Sequence, residues 1–418
     1  MSFRLKIATR STIIITLFIA VCGFLQSCEE KNSTSAEAKK QQNAPEDTIK
    51  QPEPVAAPSE KIPRETLWKA SYQASLDRGV KWILDNQHKD GSWGHFLPER
   101  PGDIYYGGVN SLKAFGTASS ALCCMALLMQ PPSETIDTSL KKGYQYLVSA
   151  PENRRINGDT FYNVWTHCYM IQALTRGLGD ERLKEMCTEI KKRTEMEIEG
   201  LFRLQSPNGG FGYYDFNQNT YHPSGYHATS FVTATALVAM HEARSAGFDI
   251  PDNRVNLALK YLLSQRYPNG SYSYSTGLQR YPQLSVNHIR GSLGRSQACN
   301  NGLIAWGRIS EKDIVKGFND FIEQHGFLEI GRCRQYPHEA WYAIAPYYYY
   351  YGHYYASRNL AELPEDCRTA FAEKLADLII LTQFDDGSFW DYPLFGYTKA
   401  YGTGFGVLIM SNCRKHLE

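Results

Sequence analysis

The 418-residue chain has no excess of charge of either sign. Its 44 Lys and Arg face 43 Asp and Glu, for a net charge of +1, and no basic block stands out after residue 63. The charge balance therefore gives no support to long-range attraction to nucleic acid. The ten cysteines do not read as a disulfide framework either, although export permits a single pair. Cys123 and Cys124 are adjacent, and Cys168, Cys299 and Cys413 lie in apolar helical stretches, where a thiol behaves as a small hydrophobe. Aliphatic side chains are nearly missing from Glu29 to about Pro63, where Lys, Glu, Gln, Ala, Ser and Pro dominate. Such a stretch buries too little surface to offset its ordering entropy and reads as a flexible tether.

At the N-terminus Arg4, Lys6 and Arg10 precede an apolar run from Ile13 to Phe24, followed by Leu25-Gln26-Ser27-Cys28. This is a signal-peptide layout with small residues before a processing site. The last four residues resemble a bacterial lipobox, which implies that Cys28 becomes the lipidated first residue and carries palmitate. An ordinary secretory signal or an uncleaved anchor is the alternative, but a spanning helix needs about 20 apolar residues and this run is short. The resulting division is a signal peptide over 1–27, a tether over 28–62 and a folded domain over 63–418. Membrane attachment through the lipidated N-terminus places the domain in the bacterial cell envelope, on a periplasmic or surface face.

What the folded part has is a repeat. Gln87-His-Lys-Asp90-Gly91-Ser92-Trp93, Gln205-Ser-Pro-Asn208-Gly209-Gly210-Phe211, Gln265-Arg-Tyr-Pro-Asn269-Gly270-Ser271-Tyr272 and Gln383-Phe-Asp-Asp386-Gly387-Ser388-Phe389-Trp390 each follow an aliphatic helix end. The glutamines are separated by 118, 60 and 118 residues, so a unit of about 60 recurs, with two copies lacking the turn. Those copies are placed at Leu140–Leu147 and Phe318–Gln324, and six units follow. Before each turn, as in Asp77–Gln87, Asn256–Gln265 and Phe371–Gln383, apolar and polar residues alternate at helical spacing, as in a helix with one wet face. After the turns come segments almost free of charge in their first turns: 117–130, 163–178, 231–247, 295–307, 339–359 and 402–417. Helices buried on most sides read this way. The expected architecture is all-α, an (α/α)6 toroid with an inner ring of six helices inside an outer ring of six.

The repeated Gln-x-x-Asp-Gly-Ser-Trp pattern resembles that of squalene and terpenoid cyclases and of protein prenyltransferase β-subunits, over roughly Ala70 to Leu417. The resemblance implies that the glutamine ends an outer helix, bonds to the start of a neighbouring helix and stacks on the aromatic, pairing Gln87 with Trp93 and Gln383 with Trp390. It implies a fold and not a chemistry. The Asp-x-Asp-Asp acid of class II cyclases has no counterpart, since Asp385-Asp386-Gly387 belongs to a repeat turn, and the Asp-rich metal motif of class I synthases is missing. Prenyltransferases bind zinc through Asp-x-Cys and a distant histidine. Here Trp165-Thr166-His167-Cys168-Tyr169 is similar only with its order disturbed. Zinc needs three or four converging ligands, and His167 or Cys168, Cys299 and His338 lie on different helices, so neither a metal nor another cofactor is expected.

If the ring is built like its relatives, the starts of the inner helices surround the mouth of a central cavity. They carry Trp165 and His167, His222 and His227, Arg295 and Asn300, His338 and Trp341, and Tyr397 and Tyr401, which are the candidate ligand-binding residues. Arg295 opens an otherwise apolar helix and needs a partner if buried. The run Tyr347–Tyr351 faces every side of its helix, so most of it serves packing and the remainder an aromatic wall. Two functions stay open. One is a binding protein holding a lipid, glycan or protein ligand without classical cyclase or prenyltransferase chemistry. The other is an envelope enzyme acting on an isoprenoid lipid or a glycan. Glycan lyases on similar toroids use Tyr, His, Asn and Arg, which makes His227, Arg295 and Tyr401 the catalytic candidates.

A test of the anchor follows. Cys28→Ser is expected to move an otherwise folded protein from the membrane fraction to the soluble fraction, because stable attachment takes more than one acyl chain and lipoprotein processing supplies it. Unchanged sedimentation with membranes would show that the apolar run or a partner holds it there.

Overall fold

The computed structural model describes residues 64–94, 108–153, 162–213, 223–393 and 396–417. These fall in one compact unit, Ile62–Glu418. The signal segment, Cys28, the tether and His222 lie outside the described residues. Among the described residues there are thirteen α-helices, and the only strands are β1 (Phe211–Gly212) and β2 (Ala228–Thr229), an antiparallel pair in a loop.

The outer helices are α1 (Arg64–Asp85), α3 (Glu134–Ser149), α5 (Cys187–Arg203), α7 (Asp252–Ser264), α9 (Glu311–Glu323) and α12 (Glu365–Ile380). The inner ones are α2 (Gly108–Leu128), α4 (Val164–Gly177), α6 (Ser230–Ser245), α8 (Ile289–Ala305), α11 (Tyr348–Asn359) and α13 (Gly396–Arg414), while α10 (His325–Gly331) is a short insertion after α9. Each inner helix packs on the next, and α13 packs back on α2, so the inner ring closes as six. Four outer helices, α3, α5, α7 and α9, lie against the inner helix that precedes them in sequence. Only α1 has no predecessor, and it seats on α13 instead.

The repeat turns explain this assembly. In all four, the Asp or Asn side chain accepts from the backbone N–H two residues on: Ser92, Gly210, Ser271 and Ser388, at 3.0–3.1 Å. The glycine between stands at φ of +88° to +90°, a conformation nearly closed to other residues. The turn then drives an aromatic inward. Trp93, Phe211, Tyr272 and Phe389 are all fully buried. The backbone N–H groups of Trp93, Phe211 and Phe389 donate to Ser120, Thr233 and Thr403 of the following inner helices. In the last turn the packed aromatic is thus Phe389, not Trp390, whose indole N–H instead donates to Thr398 at 2.7 Å.

The glutamines bond as expected, with one exception. Gln87 Nε2 donates to Gly91 O within its own turn and to Ser139 O at the next outer helix (2.9 Å). Gln205 repeats this with Gly209 O and Arg254 O. Gln383 donates to Gly387 O and to Ser75 O at 2.9 Å each, and Ser75 Oγ donates back at 2.7 Å, which ties the last outer helix to the first. Gln265 forms no such bridge, and its buried Oε1 has no partner. Its place is taken by an ion pair of Arg266 with Asp313, the residue that completes the capping box of α9.

Four inner helices depart from the spans read in the sequence: α2 begins nine residues early, at Gly108, and α13 six residues early, at Gly396, and two others shift as follows. The helix expected from residue 339 begins only at Tyr348, because 333–343 is an irregular segment with Cys333, His338, Tyr342 and Ala343 all at positive φ. Helix α8 begins six residues before Arg295, which puts that arginine in its second turn. At the far end of the ring, Glu242 accepts from Arg176 (2.8 Å) and Arg358 (2.7 Å), placing cations at the C-terminal ends of α4 and α11 as helix dipoles favour.

Gln383→Ala is expected to lower stability by about 1–3 kcal/mol, since it unpairs buried groups at the closure. Gln265→Ala should change little. Chemical denaturation of both variants checks this, and equal losses would show that glutamine bridging is not what the turns contribute.

Candidate functional site

Parallel inner helices bring their N-termini to one end of the ring, and a cavity of about 370 Å³ lies there. Fourteen of its twenty lining residues are Phe, Tyr or Trp, and none is Asp, Glu, Lys or Arg, so the wall is apolar with phenolic oxygens as its main polar atoms. Helix α2 supplies Phe115, Ala118, Ser119 and Leu122, and the first two turns of α4, α6, α11 and α13 supply Trp165, Phe231, Tyr348, Tyr351 and Tyr401. Helix α8 contributes nothing. It is drawn against α11, where a Cβ on Gly352 would meet Gly294 Cα at 2.6 Å.

The rings hold one another. Trp165 packs on Phe231 and edge-on to Tyr351, and Phe115 stacks on Tyr397 at 5.0 Å. Tyr213 and Tyr274 share a hydrogen bond between hydroxyls at 2.8 Å, with Tyr348 next in line at 3.3 Å. Burial holds the Tyr213, Tyr274, Tyr347 and Tyr401 phenols well above their ordinary values, so they stay protonated.

One acid stands behind this wall. Asp391 is fully buried, and its Oδ1 accepts from Tyr401 at 2.5 Å, while Oδ2 accepts from the Tyr350 backbone N–H in the first turn of α11 at 3.2 Å. Burial pushes the carboxyl up to about 7, and the two hydrogen bonds only partly offset it. The sequence reading missed Asp391, which immediately follows Trp390 at the aromatic end of a repeat turn and carries no motif of its own. Across the cavity, His338 Nδ1 donates to Ala343 O at 2.7 Å, which leaves Nε2 of the neutral ring as an acceptor. Its ring stands edge-on to Tyr274, and desolvation by the surrounding atoms lowers its basicity although the residue as a whole is exposed by surface area.

Of the residues proposed from sequence, Trp165, His338, Tyr397 and Tyr401 line the cavity together. The others are placed elsewhere. His167 is buried between α4 and α5, where it bonds Glu197 at 2.6 Å and Asn163 at 2.8 Å. Burial alone would raise the Glu197 carboxyl, but His167 and Arg193 outweigh it and hold the carboxyl below its usual range. His227 is in an exposed 3-10 turn against Tyr226. Asn300 is buried and accepts from Tyr272 OH at 2.9 Å. Trp341 is 71% exposed, outside the lining. Arg295 is fully buried one layer back, donating to the carbonyls of Gly291 (2.7 Å) and Val286 (2.5 Å), with its guanidinium 5.3 and 5.8 Å from the Tyr274 and Tyr348 rings. No three His, Cys, Asp or Glu side chains among the described residues converge as metal ligands. The tyrosine run divides as its geometry requires: Tyr347, Tyr348 and Tyr351 face the cavity, whereas Tyr349 and Tyr350 pack outward.

No family model matches the chain. Among solved structures, an inactive variant of the α-1,6-mannanase GH76A of Salegentibacter sp. HEL1_6 in complex with α-1,6-mannotetrose superposes with a TM-score of 0.56 at 11% identity, over 82% of this chain and 99% of that one. Cellobiose 2-epimerase from Bacillus thermoamylovorans gives 0.53 at 10% identity, over 83% and 99%. Type II terpene cyclase MstE from Scytonema gives 0.49 at 13% identity, over 83% and 100%. At such identities the first two likenesses show the fold alone, and the chain is an α/α toroid.

The raised Asp391 carboxyl has a thermodynamic consequence. Between the ordinary carboxylate value near 3.9 and about 7 the folded chain keeps a proton that the unfolded chain releases, so stability falls as pH rises through this window, by on the order of 4 kcal/mol at most. Asp391→Asn removes the titration. Its melting temperature relative to wild type should be more favourable at pH 8 than at pH 5, by calorimetry; a pH-independent difference would show that Asp391 is ionised throughout.

Proposed function

We propose that the protein is an envelope lipoprotein that holds an elongated, largely apolar molecule in the aromatic chamber of its toroid, with the polar end of that molecule at the Tyr401 corner. The observation that carries this reading is the lining: a wall of rings without a charged side chain favours removal of apolar surface from water, at roughly 25 cal/mol per Å² buried. A cation is a poor occupant despite the π faces. The N-termini of α4, α6, α11 and α13 each bring about half a positive charge to this end, and Arg295 already lies beneath the Tyr274 and Tyr348 rings.

The same site argues against alkene protonation as the chemistry. That step calls for a strong acid, and a carboxyl near 7 is a weak one, suited to exchanging protons with oxygen. Attachment through Cys28 would keep the chamber within a tether's reach of a bilayer, the natural reservoir of an apolar molecule.

The experiment is native mass spectrometry of protein purified from its own membranes, with extraction and identification of any retained molecule. A hydrophobic adduct is expected, and Ala118→Phe, which places a ring inside the chamber from α2, should reduce its occupancy at least tenfold. Recovery of a sugar in its place, or an adduct unaffected by Ala118→Phe, would retire the reading.

A further inference from the structure

Tyr401 and Asp391 form the only contact between the cavity wall and a buried acid among the described residues, and the pair is asymmetric. The 2.5 Å bond to Tyr401 is short, as for a charge-assisted or shared-proton contact, while the 3.2 Å bond from Tyr350 N–H is long for a carboxylate capping a helix. Capping α11 therefore accounts for one oxygen of Asp391 and leaves its tie to the cavity unexplained. The phenol is the part that a ligand meets, since Tyr401 lines the chamber and Asp391 does not.

Which atom of this phenol a ligand finds depends on the proton. When Asp391 is ionised, Tyr401 must donate its one O–H to the carboxylate, and the phenol offers the cavity only its oxygen lone pair. When Asp391 is protonated, the acid O–H can donate to the phenol oxygen, and the Tyr401 O–H is released toward the cavity. Resting on the reading of the chamber as an apolar-ligand site, we infer that the Tyr401–Asp391 pair reads the hydrogen-bonding character of the ligand's polar end, as an acceptor with Asp391 ionised and as a donor with Asp391 protonated. The ligand class this selects is a hydrophobic chain ending in an uncharged oxygen function, a hydroxyl in the first state and an ether or carbonyl in the second.

The surroundings let this switch operate near neutrality. Arg332 approaches Asp391 from the segment after α10, but its guanidinium is held by Glu329 at 2.9 Å, so no ion pair fixes the carboxylate. Cys333 gives its backbone N–H to the Asp391 carbonyl at 2.7 Å and its thiol to Trp390 O at 3.5 Å, and Tyr350 turns its own hydroxyl to Thr382. Each of these groups is satisfied elsewhere, so Tyr401 is the group that exchanges with Asp391. Burial then places the carboxyl at about 7, inside the range a cell envelope samples.

The test uses full-length protein in detergent and three probes of one carbon skeleton: farnesol, farnesyl methyl ether and farnesane, titrated by quenching of tryptophan fluorescence between pH 5 and 9. Farnesane reports the apolar chamber alone and should bind equally at every pH. Farnesol, which both donates and accepts, should bind more tightly than farnesane throughout. Farnesyl methyl ether, which only accepts, should gain about threefold to tenfold in affinity as pH falls through 7, the worth of one hydrogen bond. Asp391→Asn and Tyr401→Phe should each make its binding independent of pH, the second without touching the cap on α11. Ether binding that is flat in the wild type, or that keeps the same pH dependence in both variants, would overturn the inference while leaving the chamber intact. If not even farnesane binds, the reading of the chamber falls and this inference falls with it.

Discussion

The ring stands on the closure between its ends. Gln383 reaches from the last outer helix to Ser75 of the first, and α1 packs on α13 rather than on an inner helix of its own unit. A row of helix pairs leaves one apolar inner face exposed at each end, and only joining the ends covers both. The glutamine bridge is a small part of the energy but fixes the register, because its amide spans its own turn and a backbone carbonyl of the neighbouring helix at once. At Gln265 the bridge is missing and a local ion pair substitutes, so the ring tolerates a worn joint inside but has its full joint at the seam.

Closure also decides the electrostatics of the interior. Because outer and inner helices alternate along the chain, the inner helices run parallel, and their dipoles add. The C-terminal end collects Arg176, Arg358 and Glu242, a network in which each charge has a partner. The N-terminal end is left to neutral rings, with one buried arginine and one buried acid behind them. The asymmetry is why a chamber of rings and uncharged polar groups sits at this end and an ion-paired network at the other.

Arg295 illustrates how a sound expectation finds a different outcome. A charge in an apolar helix does need a partner, and Arg295 has partners, but they are carbonyls of the loop over Tyr272 and the chain near Val286 together with two tyrosine faces. It shapes the wall from behind without touching the space inside. His167 is a second case: its histidine chemistry is used up by Glu197 and Asn163 in joining α4 to α5.

The sequence by itself determined the all-α toroid, because both the turns and the alternation of wet and dry helices are local properties written at a fixed period. It also pointed to Trp165, Tyr397 and Tyr401 as cavity residues, since the start of an inner helix has only one end of the ring to face; His338 reaches the cavity too, but from the irregular segment before α11 and not from a helix start. What the tertiary structure alone decided was which polar groups remain available there. Asp391 looked like any loop acid until folding buried it against Tyr401, and Asn300 and His167 looked like site residues until Tyr272 and Glu197 engaged them. Burial and partnership are properties of segments far apart in the chain, such as residues 391 and 350 brought together across two inner helices, and no local pattern encodes them.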